Sequence, residues 1–394
     1  MLVVGLGAAA ASFSSVCVPR LRLPRSAAVD VLPLWLGAGL VLRGEDPLSA
    51  VAAKAQFTQE GLPLRPGGFY SYYPPTASVL ALPLRPLGFR RAVAAVRWGG
   101  ALATPLGVAL AVAAPFAVRR QPGWGLAAAA VGVWLGVGAM FTRPARVVLG
   151  TGQVGPWLVL SAGLALVLLA LGRTRAAAFV AGAGAALKLA PLALVPGLLL
   201  RAPRAAGALV AVPLVASAVL VGFGVPLHPV AWAAALLDFA AREPPPDLLG
   251  RAGVVEALIG MRVGLAVVGV LVAGALLWRR SRGPAPPLHV GDSVNLAVTG
   301  MAALGLVLSG SPHTHEALLA LPAIGVALAW PFTRPSVLAG VAAAALLLSI
   351  AGSPEAFAAD APRDALYWPL PAALALAISV LRAGLRGDGP ARTG

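Results

Sequence analysis

Long apolar runs recur along this chain, and they constrain its fold more than any motif does. After an opening run from Leu2 to Val18 they fall near 92 to 118, 125 to 141, 154 to 171, 176 to 200, 205 to 224, 263 to 278, 292 to 310, 317 to 331, 336 to 351 and 365 to 381. A helical span needs ~20 mostly apolar residues, and an open sheet edge cannot be satisfied in hydrocarbon. The runs therefore predict an all-α integral membrane protein, a polytopic helical bundle of about 10–12 membrane segments. Composition excludes a soluble globular domain: 59% of the 394 residues are apolar and 11% charged, with a mean hydropathy of +0.86. No boundary interrupts the pattern, so residues 1–394 read as one polytopic domain, with a long first loop over 19–91 and a tail over 382–394.

The net charge of +16 comes from arginine, Lys54 and Lys188 being the only lysines. Basic clusters at span ends mark the cytoplasmic side and meet anionic membrane lipid, so no nucleic-acid partner is expected. Arg119-Arg120, Arg173/Arg175, Arg201/Arg204, Arg279-Arg280/Arg282 and Arg382/Arg386/Arg392 serve as these markers. Arg20, Arg22 and Arg25 argue the opposite way, and the five later clusters outweigh them. Between Arg175 and Arg201 lies a single run, which alternates correctly only if AGAGAALKLAP at 181 to 191 turns the chain inside the membrane as two half-crossings. Both termini are then cytoplasmic, and the loop from Asp30 to Pro75 lies outside. Cys17 is the sole cysteine, so there is no disulfide framework or thiol-metal motif.

That loop concentrates the chemistry, with four of the fourteen acidic residues and three of the four tyrosines. LPLWLGAGLVL after Asp30 suits an interfacial helix lying flat rather than crossing. Asp30 is either the cap of that helix or an acid-base group. Glu45 and Asp46, beside Gly44 and Pro47, read as a turn or as alternative acids. Tyr70, Tyr72 and Tyr73 read equally as an aromatic belt or as substrate contacts. Elsewhere, an ammonium at Lys188 within an apolar run is a functional hypothesis by default. Gln153 either lines the same cavity or ends a span. His313 and His315 stand together at the start of a span near Glu316 and cap it or donate to a phosphate; without further ligands a metal site is the weaker reading.

The order DVLPLWLGAGLVLRGEDP from Asp30 to Pro47, YYPP at Tyr72 to Pro75, GQ at Gly152-Gln153, KLAP at Lys188 to Pro191 and SPHTH at Ser311 to His315 resembles glycosyltransferase family 87. The resemblance covers roughly residues 25 to 330 and departs from the family pattern at Leu48, where a tyrosine is usual. It implies a GT-C fold and a hexosyltransferase of the mannosyltransferase kind. Such an enzyme moves a sugar, mannose first, from a polyprenyl-phosphate donor to a lipid or glycan acceptor at the extracytoplasmic face. It further implies Asp30 as general base, with no metal or other cofactor. His313, His315 and Lys188 would hold the donor phosphate, and Tyr72, Tyr73, Gln153 and Asp46 would line the substrate site. No GxGxxG, Walker loop or soluble nucleotide-sugar domain is present, which favours a lipid-borne donor. The alternative from another class is a transporter or flippase for a lipid-linked or anionic substrate, for which a broken helix at Lys188 serves as well.

Overall fold

The computed structural model describes residues 30–61, 73–140 and 148–226, with shorter pieces at 289–294, 297–298, 300–301, 321–323, 325–326 and 329. Among these residues there is no strand. The loop segment supplies α1 (Val31–Leu42), α2 (Ala50–Gln59) and α3 (Pro75–Leu80). Ser49 caps α2, its hydroxyl accepting from Ala52 N at 3.2 Å. A 3-10 segment, Leu82–Leu87, then leads into α4 (Gly88–Val118). There follow α5 (Pro122–Ala139), α6 (Gly155–Ala170), α7 (Thr174–Leu187), α8 (Val195–Arg201) and α9 (Ala206–Gly222). Prolines open α3, α5 and α6, where a missing N–H costs no helical hydrogen bond.

The long helices form a row in which α4 packs between α5 and α6, α6 packs on α7, and α7 on α9. Small residues let their backbones approach. A Cβ added at Gly107 would stand 2.5 Å from the Val159 carbonyl oxygen, and one at Gly132 would stand 2.5 Å from Ala109 Cα. Such contacts are the usual source of helix association where the surroundings are as apolar as the helix. The segments Leu82–Val118 and Pro203–Gly222 are each long and apolar enough to cross a membrane. They differ in surroundings, because 67% of the first apolar window is buried inside the protein and 22% of the second.

The run at 176 to 200 is indeed interrupted: α7 ends at Leu187, Lys188 is extended, and a 3-10 turn at Ala190–Leu194 leads to α8, which packs back on α7. The flat interfacial helix after Asp30 is instead a packed one. In α1, Val31 and Leu34 to Val41 are buried among protein side chains. Its apolar residues surround the helix rather than forming one face, and a helix apolar all round is enclosed rather than laid on a boundary. The runs near 263 to 278, 336 to 351 and 365 to 381, and the opening run, lie outside the described residues.

Candidate active site

Asp30 is placed by its main chain. Its N–H donates to Thr151 O at 3.1 Å, which sets the start of α1 against a helical turn at 148–151. That turn closes in a left-handed glycine, Gly152 at φ 72°, and Gln153 N donates back to Val148 O at 2.9 Å. A Cβ at Gly152 would run into Val31 Cγ2, so the GQ motif and the first residues after Asp30 are in contact. Two residues singled out in the sequence, Asp30 and Gln153, are thus brought to one place across more than a hundred residues. The Asp30 side chain makes no capping hydrogen bond to α1. The loop's other acids are engaged as a turn and ion pairs: Asp46 Oδ1 accepts from Leu48 N at 2.9 Å, Glu45 pairs with Arg43 at 2.6 Å, and Glu60 pairs with Arg85.

A second junction ties the start of α3 to the end of α7. Thr76, in the first turn of α3, donates its hydroxyl to Ala186 O at 2.8 Å, at the end of α7. Tyr73 lies three residues before that threonine and is buried in the main core rather than displayed in a belt. Lys188 lies two residues beyond the acceptor carbonyl, where the helix stops, and its N–H donates to Gly184 O at 3.0 Å. Between the junctions α1 and α3 pack together, Gly37 fitting against Ser78 and Pro47. Tyr72, His313 and His315 lie outside the described residues.

Sequence reading missed Arg97. It sits in α4 with 2% of its surface exposed, and its Nη2 donates to Gly150 O. The adjacent carbonyl, Thr151 O, receives the N–H of Asp30. Val31 packs on Val93 and Val96, the turn of α4 just before Arg97. A guanidinium enclosed among apolar residues is costly unless it serves a partner or a cavity. Nothing in the sequence sets it apart from the nearby Arg90 and Arg91. Among the described residues no three His, Cys, Asp or Glu side chains cluster as a metal site.

The sequence model of glycosyltransferase family 87 matches residues 70–310, more than half of the chain. The chain belongs to glycosyltransferase family 87. It is therefore a glycosyltransferase, which requires a sugar donor and an acceptor. The matched span includes Tyr72, Tyr73, Gln153 and Lys188, together with Arg97 and the turn it holds; Asp30, His313 and His315 fall beyond its two ends. No curated protein and no solved structure matches the chain.

Proposed function

We propose that this family 87 glycosyltransferase is a multi-pass membrane enzyme of the GT-C type. It moves a hexose, mannose first among the candidates, from a polyprenyl phosphate to a lipid or glycan acceptor at the extracytoplasmic face. The reaction is a single inverting displacement. The acceptor hydroxyl attacks the anomeric carbon while the bond from that carbon to the phosphate oxygen breaks. The hydroxyl proton passes to the Asp30 carboxylate, and polyprenyl phosphate leaves with the bonding electron pair. Lys188, His313 and His315 donate to the leaving phosphate, while Tyr72, Tyr73, Gln153 and Asp46 line the sugar and acceptor site.

The observation that carries this reading is the placement of Asp30. Its main chain is fixed beside Gln153. A base must be held within reach of one hydroxyl, and positional error of about 1 Å costs on the order of 100-fold in rate. Arg97 supports that placement by holding Gly150, next to the carbonyl that receives the Asp30 N–H.

The test is to offer purified enzyme a synthetic polyprenyl-phosphate mannose with an extract of membrane glycolipids, and to follow labelled sugar into product. Transfer from a nucleotide sugar but not from the lipid donor sinks the donor assignment. Sidedness is checked with a cysteine at Gly61, an exposed residue of the loop. It should react with an impermeant reagent on intact cells; reaction only from the cytoplasmic side would reverse the orientation.

A further inference from the structure

Helix α4 is longer than a bilayer is thick. Its 31 residues rise about 46 Å, against a hydrocarbon thickness of about 30 Å. Part of it must stand outside, and its exposed side chains say which part. Arg91, Ala94, Trp98, Leu102 and Leu106 follow one another at helical spacing on one face, and all five are exposed. Along that stripe the chemistry changes in order, from guanidinium through methyl and indole to bare aliphatic chains. Leu102 and Leu106 are 60% and 50% exposed, so the aliphatic part faces outward. Indole is the side chain that settles where water gives way to hydrocarbon. A second indole stands at the same level. Trp157, at the start of α6, lies where a Cβ added at Gly99 would run into its ring, and Trp98 and Trp157 are 41% and 37% exposed.

The other end of the stripe supplies an independent check. About 32 Å of helical rise carries Trp98 to Arg119, close to the ~30 Å of a hydrocarbon layer. Arg119 and Arg120 are exposed there. Helices α4 and α6 run in the same direction, since a Cβ added at Gly100 would meet Pro156 and one at Gly163 would meet Gly107. The same offset sets Arg119 level with Arg175, which is exposed as well. Arginines thus flank the aliphatic stretch on both sides, Arg90 and Arg91 before it and Arg119 and Arg120 after it. Among the described residues no carboxylate pairs with these four. Phospholipid phosphates on the two faces of a bilayer are the complement of that arrangement.

We infer that α4 faces lipid from Trp98 to Arg119, with one hydrocarbon boundary at Trp98 and Trp157 and Asp30 in the headgroup layer just beyond it. Val31 packs on Val93 and Val96, which precede Trp98 by about 8 and 3 Å along the helix axis. The headgroup layer is roughly 5–8 Å deep on each side, so the start of α1 falls within it. This depth rests on the membrane reading proposed above and sharpens it. At that level the sugar-phosphate bond of an embedded donor reaches Asp30 while its prenyl chain stays in hydrocarbon, where exposing the chain to water would cost binding.

The experiment uses the full-length protein in phosphatidylcholine–phosphatidylglycerol nanodiscs, with Cys17→Ser removing the sole cysteine. Spin labels are attached one at a time to Arg91→Cys, Ala94→Cys, Trp98→Cys, Leu102→Cys and Leu106→Cys. Each is read by collision with oxygen, which concentrates in hydrocarbon, and with a nickel chelate, which stays in water. The oxygen-to-nickel ratio should rise along the series and cross over at position 98. A label at 94 as deep as one at 106, or a label at 102 as wet as one at 91, overturns the boundary while the protein still spans the membrane. Labels shielded from both reagents at 102 and 106 would mean that a second copy of the chain covers the stripe, which also overturns it. Nickel access at all five positions would remove the membrane reading itself. Should Trp98→Cys fail to fold, positions 94 and 102 still bracket the crossing.

Discussion

The two junctions that fasten the first-loop helices to the body of the protein differ in kind. Asp30 is tied through its main chain to Thr151 O, and any residue but proline at that position can make the bond. Thr76 is tied through its side chain to Ala186 O, and a single substitution erases it. At the first junction position and chemistry are therefore separable. At the second they are fused, because the group that fixes the geometry is the side chain itself. Catalytic reading of Asp30 becomes testable for that reason: its function can be removed while its place is kept.

The largest effect should follow from Asp30→Asn. The main-chain tie survives, and asparagine caps a helix as well as aspartate does, so folding should be unchanged while turnover falls about 100-fold to 10,000-fold. Initial rates with the lipid-linked sugar measure it, and near-normal turnover would leave Asp30 as a structural residue. Next comes Arg97→Met, which withdraws the donor from Gly150 O and loosens the turn on which Asp30 rests. Turnover should drop roughly 100-fold, with part recovered by Arg97→Lys. Wild-type kinetics in the methionine variant would separate Arg97 from the site.

Lys188→Met probes the second junction, where the expected change is in donor affinity, about tenfold weaker, with folding intact. Equal affinity of the variant and the wild type for the polyprenyl-phosphate sugar would mean that the ammonium does not touch the phosphate. The smallest effect belongs to Thr76→Val, which loses one hydroxyl bond and about 1 kcal/mol of stability. Thermal unfolding reads it directly. A stability unchanged within error would show that α3 is held by packing alone, and that the contrast between the two junctions is only geometric.

Much of this architecture was legible because long apolar runs are a coarse and strong signal. The runs at 92 to 118, 125 to 141, 154 to 171 and 205 to 224 became α4, α5, α6 and α9 with ends displaced by a few residues. The interruption at Lys188 was visible because a lysine and a following proline do not continue an apolar helix. What escaped were contacts to main-chain carbonyls. Gly150 O and Thr151 O have no side-chain signature, so neither the Arg97 bond nor the Asp30 bond leaves a pattern in the sequence. Hydrophobicity also fails to tell an interfacial helix from an enclosed one, which is why α1 was expected at a boundary. Gln56 escaped similarly, since nothing in AVAAKAQFTQ marks that its first amide side chain is buried.

The two junctions also interleave in chain order, Asp30, Thr76, Thr151, Ala186, and that has a consequence for how the protein is made. Neither tie can close when its first partner is synthesised. Thr76 waits for a carbonyl 110 residues later, on the order of ten seconds at ordinary rates of translation. Meanwhile the helices that carry the acid stay unanchored beside a body that does not yet exist. A ribosome that stalls before Gly150 leaves a nascent chain with its acid but no floor beneath it. The candidate active centre is therefore completed from far-separated pieces, and errors in synthesis or insertion between Thr76 and Ala186 should cost this protein its activity before they cost it its helices.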